Sequence, residues 1–324
     1  MSRRGLVLFT LMCVLWGIPY LMIKVAVEGV SVPVLVFARC ALGAVLLLPL
    51  AVRAGGFGWV RRHWKPLLAF ALAEILAPWA LISDAERELS SSMAGLLIAA
   101  VPIVGIFLAR LTGDAERLGP VRWAGLLLGL AGVAVLAAPH LDGGSAWSIT
   151  EMMLVVLGYS IAPLIATRRL QDVPSVSMTA ACLTFAALVY TPPAILTWPD
   201  TMPSGRVLAA LAGLGVLCTA IAFMVFLELI REVGTSRAMV FTYVNPAVAV
   251  TAGVLLLDEP LTATIVVSFA LILAGSLLAT ARRPAKADPE APTDLESAKS
   301  PETLAAVPMA EGQLTHLEAP SPDR

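Results

Sequence analysis

Two segments of this chain are close copies of each other, and the copies stand a constant 144 residues apart. One deleted residue then shortens the offset to 143 for the rest of the repeat. The matched pairs are Ser92 and Ser236, Pro102 and Pro246, Asp114 and Asp258, Glu116 and Glu259, and the dipeptides Ala131-Gly132 and Ala274-Gly275. Such self-similarity predicts an internal duplication with halves of roughly 145 residues. If each half crosses a bilayer an odd number of times, the copies lie in opposite orientations, as in many carriers.

The composition predicts an all-α integral membrane protein. Hydrophobic residues make up 58% of the chain and charged residues 14%, against about 25% charged in soluble proteins. Apolar runs of roughly 17–22 residues recur along the chain, and each can cross a hydrocarbon core of about 30 Å as a helix. The ten predicted transmembrane helices are 6–23, 32–52, 66–83, 91–111, 121–138, 149–167, 176–197, 207–227, 237–257 and 262–281.

The distribution of positive charge predicts how these helices are oriented. With the amino terminus in the cytoplasm, sixteen Lys and Arg residues lie on the cytoplasmic side and three on the outer side, which agrees with the positive-inside rule. The outer set is Lys24, Arg87 and Arg206. Ten spans return the carboxyl terminus to the cytoplasm. We therefore expect a multi-pass protein of the inner (plasma) membrane with both termini in the cytoplasm.

The repeat also predicts how the chain is divided. Residues 1–139 are expected to hold helices 1–5, residues 140–146 a linker of turn-forming residues, and residues 147–281 helices 6–10. Residues 282–324 are rich in Ala, Pro, Glu, Asp and Ser, a composition that predicts a disordered cytoplasmic tail. We interpret this tail as a solvated, dispensable end, and a docking or regulatory arm is the alternative.

Five motifs distinguish the second half. They are Thr219-Ala-Ile-Ala222, Gly234-Thr-Ser-Arg-Ala238, Thr242-Tyr243-x-x-Pro246, Leu257-Asp-Glu-Pro-Leu261 and Leu273-Ala-Gly275. Together they resemble one EamA domain, the five-helix repeat of the drug/metabolite transporter superfamily, and the first half is similar but weaker. The resemblance covers about 280 of the 324 residues. It implies ten transmembrane helices in two inverted five-helix repeats, and a secondary transporter that exports small metabolites, amino-acid-like compounds or drugs.

One segment of the first half departs from the family pattern. Asp84-Ala-Glu-Arg-Glu88 places a dense acidic cluster before helix 4. We interpret it as an exposed outer loop, and a vestibule that attracts cations is the alternative.

Three charged residues lie within or at the end of apolar runs, where a charge costs roughly 2.5–3.5 kcal/mol and needs a partner or a watery cavity. Glu74, near the middle of helix 3, is a candidate proton-coupling or cation-binding carboxylate. Arg39, about a third of the way into helix 2, is a candidate substrate contact. A structural ion pair between Arg39 and Glu74 is the alternative for both, and a carboxyl group neutralised by burial is a further alternative for Glu74. Lys24 closes helix 1, and Arg168 occupies the matching position of the second half. The alternative to a functional role for Lys24 is snorkelling to the outer interface.

Helix 9 carries the only asparagine of the chain, Asn245, directly before Pro246. Proline has no N–H, and its ring clashes with the carbonyl group four residues back. Pro246 and its repeat partner Pro102 are therefore predicted to kink helices 9 and 4, and both are candidate hinges. Tyr243 and Asn245 are candidate substrate contacts at the kink, and a simple bend in the helix is the alternative.

Aromatic residues near the predicted cavity are further candidates for substrate contact. An aromatic belt at the membrane interface is the alternative for each of them. The candidates are Trp16, Tyr20, Trp79 and Tyr159.

Other classes of function are not favoured by the residues present. The chain has no Gly-x-x-x-x-Gly-Lys-Ser/Thr loop for nucleotide phosphates, and its histidines lie in predicted loops or in the tail. We therefore expect no enzyme, no metal site and no cofactor, and transport driven by a gradient of substrate or of protons.

The predicted partners are a small-molecule substrate and the lipid bilayer, with no nucleic acid, and a homodimer is left open. Within the same fold, uptake in place of export is the first alternative. A membrane enzyme acting on lipid, or a lipid translocase, is the second.

Overall fold

The computed structural model describes residues 2–112, 119–141 and 146–280. Within these ranges the chain is helical and contains no β-strand. In chain order the helices are α1 Arg3–Gly17, α2 Pro19–Ala26, α3 Val32–Arg53, α4 Val60–Ala71, α5 Ala77–Glu88, α6 Ser91–Ile98, α7 Val101–Leu111, α8 Pro120–Leu141, α9 Ala146–Arg169, α10 Ser175–Leu196, α11 Gly205–Gly215, α12 Ala222–Val233, α13 Thr235–Ala238, α14 Asn245–Leu257 and α15 Ala263–Thr280. The predicted tail, and most of the predicted linker, lie outside the described residues.

Within the described part of the chain, eight helical stretches are long and apolar enough to cross a membrane. They match the first eight predicted spans, the seventh to within one residue, and some combine two of the helices above. The ninth and tenth predicted spans fall on shorter apolar helices, Asn245–Leu257 and Ala263–Ala279. The eight stretches are Arg3–Ala26, Val32–Arg53, Val60–Glu88, Ser91–Leu111, Pro120–Pro139, Ala146–Arg169, Ser175–Leu196 and Gly205–Val233.

Large apolar side chains remain exposed along the sides of these helices. Leu127 is 65% exposed, Leu255 71% and Leu196 85%. Water would penalise so many exposed apolar groups, whereas lipid tails solvate them, so this surface suits a bilayer. The protein is a multi-pass membrane protein.

Irregular helix segments recur at the repeat offset of 144 residues. Leu72–Leu76, between α4 and α5, and Val216–Ile221, between α11 and α12, are both π-helical. The helix containing Pro102 restarts at Val101, and the helix containing Pro246 restarts at Asn245. Proline is tolerated at the start of a helix because its missing N–H has no partner there in any case. The predicted breaks at both prolines are confirmed; whether they act as hinges stays a prediction.

Glycine allows α8 and α15 to pack almost backbone to backbone. A Cβ atom on Gly125 would overlap the backbone of Gly275 and Ala279, and one on Gly275 would overlap the backbone of Gly129. Small residues permit this close approach between membrane helices, where lipid removes the hydrophobic drive for association.

Polar contacts join helix ends at two opposite ends of the bundle. We call these the outer end and the inner end, after the predicted topology. Contacts at the outer end include Ser31 with Thr197 (2.7 Å between hydroxyl oxygens) and Ser148 with Glu88 (3.1 Å). Contacts at the inner end include Arg4 with Glu228 (2.9 Å) and Arg168 with Thr112 (2.9 Å).

Candidate functional site

Arg39 lies in the middle of the bundle with its charge almost out of reach of solvent. It projects from α3 and is 7% exposed. Its Nε donates a hydrogen bond to Thr219 Oγ1 (3.2 Å), and its guanidinium carbon lies 3.6 Å from the ring centre of Trp79. The guanidinium therefore has a cation–π neighbour on one face and a neutral partner at one of its five N–H groups.

Thr219 is positioned for this contact by the π-helical segment Val216–Ile221. Its hydroxyl donates to the carbonyl oxygen of Leu214, five residues earlier (2.8 Å), while accepting from Arg39. Single π-helical turns are frequent at functional sites because they re-aim side chains within an otherwise regular helix.

Glu74 occupies the matching π-helical segment of the first half, Leu72–Leu76. It is partly buried and close enough to Tyr159 and Cys182 to interact with them electrostatically. The position that matches Glu74 in the repeat is Cys218, beside Thr219. The two halves have therefore kept the same backbone irregularity with different chemistry.

The alternative that Arg39 and Glu74 form an ion pair is wrong for this structure. No salt bridge within 4.0 Å joins them. Thr219 and Trp79 are the neighbours that contact the Arg39 guanidinium instead. Both residues still face the same polar region, since Tyr159 interacts electrostatically with each of them.

Five of the predicted site residues thus come together in the centre of the bundle. Tyr20 is 9% exposed and interacts electrostatically with both Arg39 and Glu86. The group, which we call the central site, is Tyr20, Arg39, Glu74, Trp79 and Tyr159.

Lys24 points into the protein and does not snorkel to the membrane interface, so that alternative is wrong. Its Nζ donates to the backbone carbonyl oxygens of Glu86 (2.6 Å) and Leu89 (2.8 Å) at the end of α5. Helix ends leave carbonyl groups without intrahelical donors, and an ammonium group also suits the negative end of the helix dipole. Lys24 therefore caps α5 and ties α2 to it.

The acidic segment Asp84–Glu88 is not an exposed outer loop, because α5 continues to Glu88. Glu86 is fully buried, and neither of its carboxylate oxygens has a hydrogen-bond partner. Our sequence interpretation missed it. Trp79, Ile82 and Glu86 follow the three-and-four spacing of one helix face, and that spacing is the signal that could have identified Glu86 as inward-facing.

Glu259 is a second residue that we did not select, and it holds the start of α6. One carboxylate oxygen accepts from the N–H (2.7 Å) and hydroxyl (2.9 Å) of Ser91. The other accepts from the N–H (3.0 Å) and hydroxyl (2.5 Å) of Ser92. We call this contact the Glu259 cap. It joins the segment after α14 to the first turn of α6, where the helix dipole also favours a negative charge.

The side-chain amide of Asn245 makes its hydrogen bonds within the protein. With its nitrogen as donor, the amide reaches the carbonyl oxygens of Phe241 (3.1 Å) and Cys13 (3.3 Å). It thereby satisfies backbone groups at the break before α14 and ties that break to α1. A substrate contact at Asn245 stays a prediction.

Three other predicted residues lie away from the central site. Tyr243 and Pro246 line a small pocket between α6, α14 and α15, which shares no residue with the central site. Trp16 packs against Phe223, Phe226 and Phe241, with ring centres 5.1–5.6 Å apart. Aromatic packing of this kind is sufficient to explain its position.

Within the described residues, no group of three or more His, Cys, Asp or Glu side chains could hold a metal ion. The chemistry that the central site offers is hydrogen bonding, charge and aromatic contact.

Known proteins with similar sequences are transporters. The sequence model of the EamA-like transporter family matches residues 3–138 and again residues 146–281. The chain is 28% identical over 276 residues to the uncharacterized inner membrane transporter YedA of Escherichia coli K12, covering 80% of this chain and 87% of that protein. It is 24% identical over 296 residues to the uncharacterized transporter YvbV of Bacillus subtilis 168, covering 88% and 94%.

A solved structure shares the fold. A crystal structure of a protein 21% identical to this chain aligns with a TM-score of 0.63, covering 86% of this chain and 98% of the other.

Proposed function

The chain belongs to the EamA-like transporter family, and from that premise we propose that it is a secondary carrier that exports small amino-acid-like metabolites by alternating access, with protons as the coupling ion. The observation that carries this proposal is the buried guanidinium of Arg39, which has no carboxylate of the described residues within salt-bridge distance.

A buried cation without a counter-ion is costly in a membrane protein and marks a functional position by default. The guanidinium of Arg39 makes one hydrogen bond, to Thr219, within the described part of the chain. Its remaining N–H groups can bind a substrate carboxylate, and arginine binds carboxylates through two parallel hydrogen bonds. We therefore assign Arg39 as the anchor for the substrate carboxylate.

The same site offers a group for a substrate cation. The Glu74 carboxylate interacts electrostatically with Tyr159, as Arg39 does. It suits an ammonium group, while the rings of Trp79 and Tyr159 suit an apolar side chain between the two charges. A molecule with a carboxylate, an ammonium group and an apolar body satisfies all of these features.

Alternating access requires two halves that move against each other. We propose that residues 1–139 and 147–281 form two inverted five-helix repeats, with ten membrane spans in all. The double family match, the π-helical segments at matching positions and the paired breaks at Pro102 and Pro246 support this arrangement. Carriers of this kind rock one repeat against the other around a fixed central site, and the two proline breaks are the proposed hinges.

The orientation and direction are part of the proposal. The bias of Lys and Arg supports cytoplasmic termini in the inner membrane. Export is the proposed direction, and uptake by the same fold is the alternative. Loss of a preloaded labelled compound from cells, compared with its accumulation, separates the two.

Binding by the purified protein in detergent tests the central site. The compounds are L-leucine, 4-methylpentanoate, which lacks the ammonium group, and 3-methylbutylamine, which lacks the carboxylate. L-Leucine should raise the thermal midpoint most, because ligand binding to the folded state stabilises it. Arg39→Lys should weaken binding of L-leucine and 4-methylpentanoate about tenfold, which is about 1.4 kcal/mol, since lysine cannot form the paired hydrogen bonds.

Glu74→Gln provides the matched comparison. This variant should weaken the binding of L-leucine and leave the binding of 4-methylpentanoate unchanged, because only the ammonium group would contact Glu74. The proposal fails if none of L-leucine, L-phenylalanine and L-threonine stabilises the protein. It also fails if Arg39→Lys binds the stabilising compound as well as the wild type does.

A further inference from the structure

We propose that Glu86 binds a proton within the membrane at the outer end, and that its charge state controls whether the Glu259 cap is closed. Such a proton site would serve the proton coupling of the proposed function, on which this role of Glu86 rests. Glu86 is fully buried, and neither of its carboxylate oxygens has a donor. An ionised carboxylate without partners costs far more in such a place than a neutral one, so the carboxyl group is protonated in this conformation.

The groups around Glu86 argue for a proton rather than a metal ion. A metal cation needs several oxygen ligands; Ca²⁺, for example, takes six to eight. The neighbouring carbonyl oxygens of Glu86 and Leu89 already accept from Lys24, and both oxygens of Glu259 are filled by Ser91 and Ser92. A proton needs only the Glu86 carboxylate itself.

Charged and titratable groups face Glu86 from the surrounding elements. Lys24 of α2 attracts its ionised form, as does Arg39 of α3 at longer range, whereas Glu259 repels it. Tyr20 of α2 interacts electrostatically with both Glu86 and Arg39. On the side of α5 that faces α9, Glu151 contacts Asp84 and Glu88 rather than Glu86.

Loss of the proton would strain two of the contacts at the outer end. The new negative charge repels the Glu259 carboxylate, which joins the segment after α14 to α6. It also attracts the Lys24 ammonium, which now lies on the backbone carbonyl of Glu86 and makes no ion pair within 4.0 Å with the side chain. Protonation of Glu86 therefore favours a closed outer end and deprotonation an open one.

Infrared difference spectroscopy of the full chain in lipid tests the proton site without any substrate. At neutral pH the wild type should show the C=O stretch of a protonated carboxylic acid that disappears in Glu86→Gln. The band should persist in Glu28→Gln, which removes an exposed carboxylate near the same end. The absence of any protonated-acid band that depends on Glu86 would overturn the proposal.

Hydrogen exchange of the Ser91 and Ser92 amides tests the second part. As pH rises, wild type and Glu28→Gln should lose protection at these amides beyond the intrinsic pH effect, whereas Glu86→Gln should keep it. Equal loss in all three proteins would contradict control of the cap by Glu86. Neither measurement requires transport, so a protein that binds no amino acid can still pass both tests, and the proposed function fails separately.

Discussion

Glu86 and Glu259 lie at the same end of the bundle and have the same side chain in opposite environments. Glu259 accepts four hydrogen bonds from Ser91 and Ser92 and remains partly exposed. Glu86 is fully buried and accepts none. A carboxylate with several backbone donors is stabilised in its charged form, whereas one buried without donors is not. The comparison assigns Glu259 to holding helices together and Glu86 to binding a proton.

The largest expected effect on stability comes from removing Glu259. Glu259→Ala leaves the N–H and hydroxyl groups of Ser91 and Ser92 buried without acceptors. We expect a loss of about 3 kcal/mol or more in the free energy of unfolding, since each unsatisfied buried group costs about 1–3 kcal/mol. Chemical unfolding in detergent micelles measures it, with Glu28→Ala as the exposed control. A loss equal to that of Glu28→Ala would show that the cap contributes nothing.

Lys24 provides the next test, because its ammonium group donates hydrogen bonds to the carbonyl groups at the carboxyl-terminal end of α5. Lys24→Met keeps most of the side-chain length but leaves the carbonyl oxygens of Glu86 and Leu89 without their donor. We expect a loss of about 2 kcal/mol, in the range of hydrogen bonds to charged groups. Arg87→Met is the matched control, since Arg87 is an exposed cation near the same helix end that pairs only with Asp84 in the described structure. Equal losses in the two variants would contradict the capping role of Lys24.

Of these variants, Glu86→Gln should change the free energy of unfolding least. It therefore tests whether Glu86, unlike Glu259, makes no structural contact in its charged form. Glutamine has nearly the shape of a protonated glutamate, and no donor to Glu86 is lost. We therefore expect a change below about 0.5 kcal/mol in the free energy of unfolding near neutral pH. A loss as large as that of Glu259→Ala would mean that Glu86 makes a structural contact in its charged form, and the comparison would break down.

The sequence predicted the parts of this fold that depend on local chemistry. Pro102 and Pro246 break their helices because proline lacks an N–H, whatever surrounds it. The close approach of α8 and α15 likewise depends on a local property, because only glycine leaves room for a neighbouring backbone. Arg39 and Glu74 were identified because charges within apolar runs are costly anywhere in a bilayer.

The parts that were missed depend on tertiary contacts. Glu259 meets Ser91 and Ser92 across 168 and 167 residues of chain, a pairing that no local pattern encodes. The polar composition of Asp84–Glu88 indicated a loop. In the structure Lys24 binds the end of this segment, the segment is helical, and Glu86 is buried. The contact between Arg39 and Thr219 was missed for the same reason, since Thr219 comes from the other half of the chain.

The measurement that tests the central claim most directly is exchange of labelled L-leucine, L-phenylalanine and L-threonine across proteoliposomes that hold the purified full chain and the same unlabelled compound. Wild type and Arg53→Gln, which removes an exposed arginine at the inner end, should exchange at least one of the three. Arg39→Gln should lose that exchange, and Arg39→Lys should retain a reduced rate because it keeps the charge without the paired hydrogen bonds. No exchange by the wild type, or equal exchange by wild type and Arg39→Gln, would contradict a carrier that holds its substrate carboxylate at Arg39.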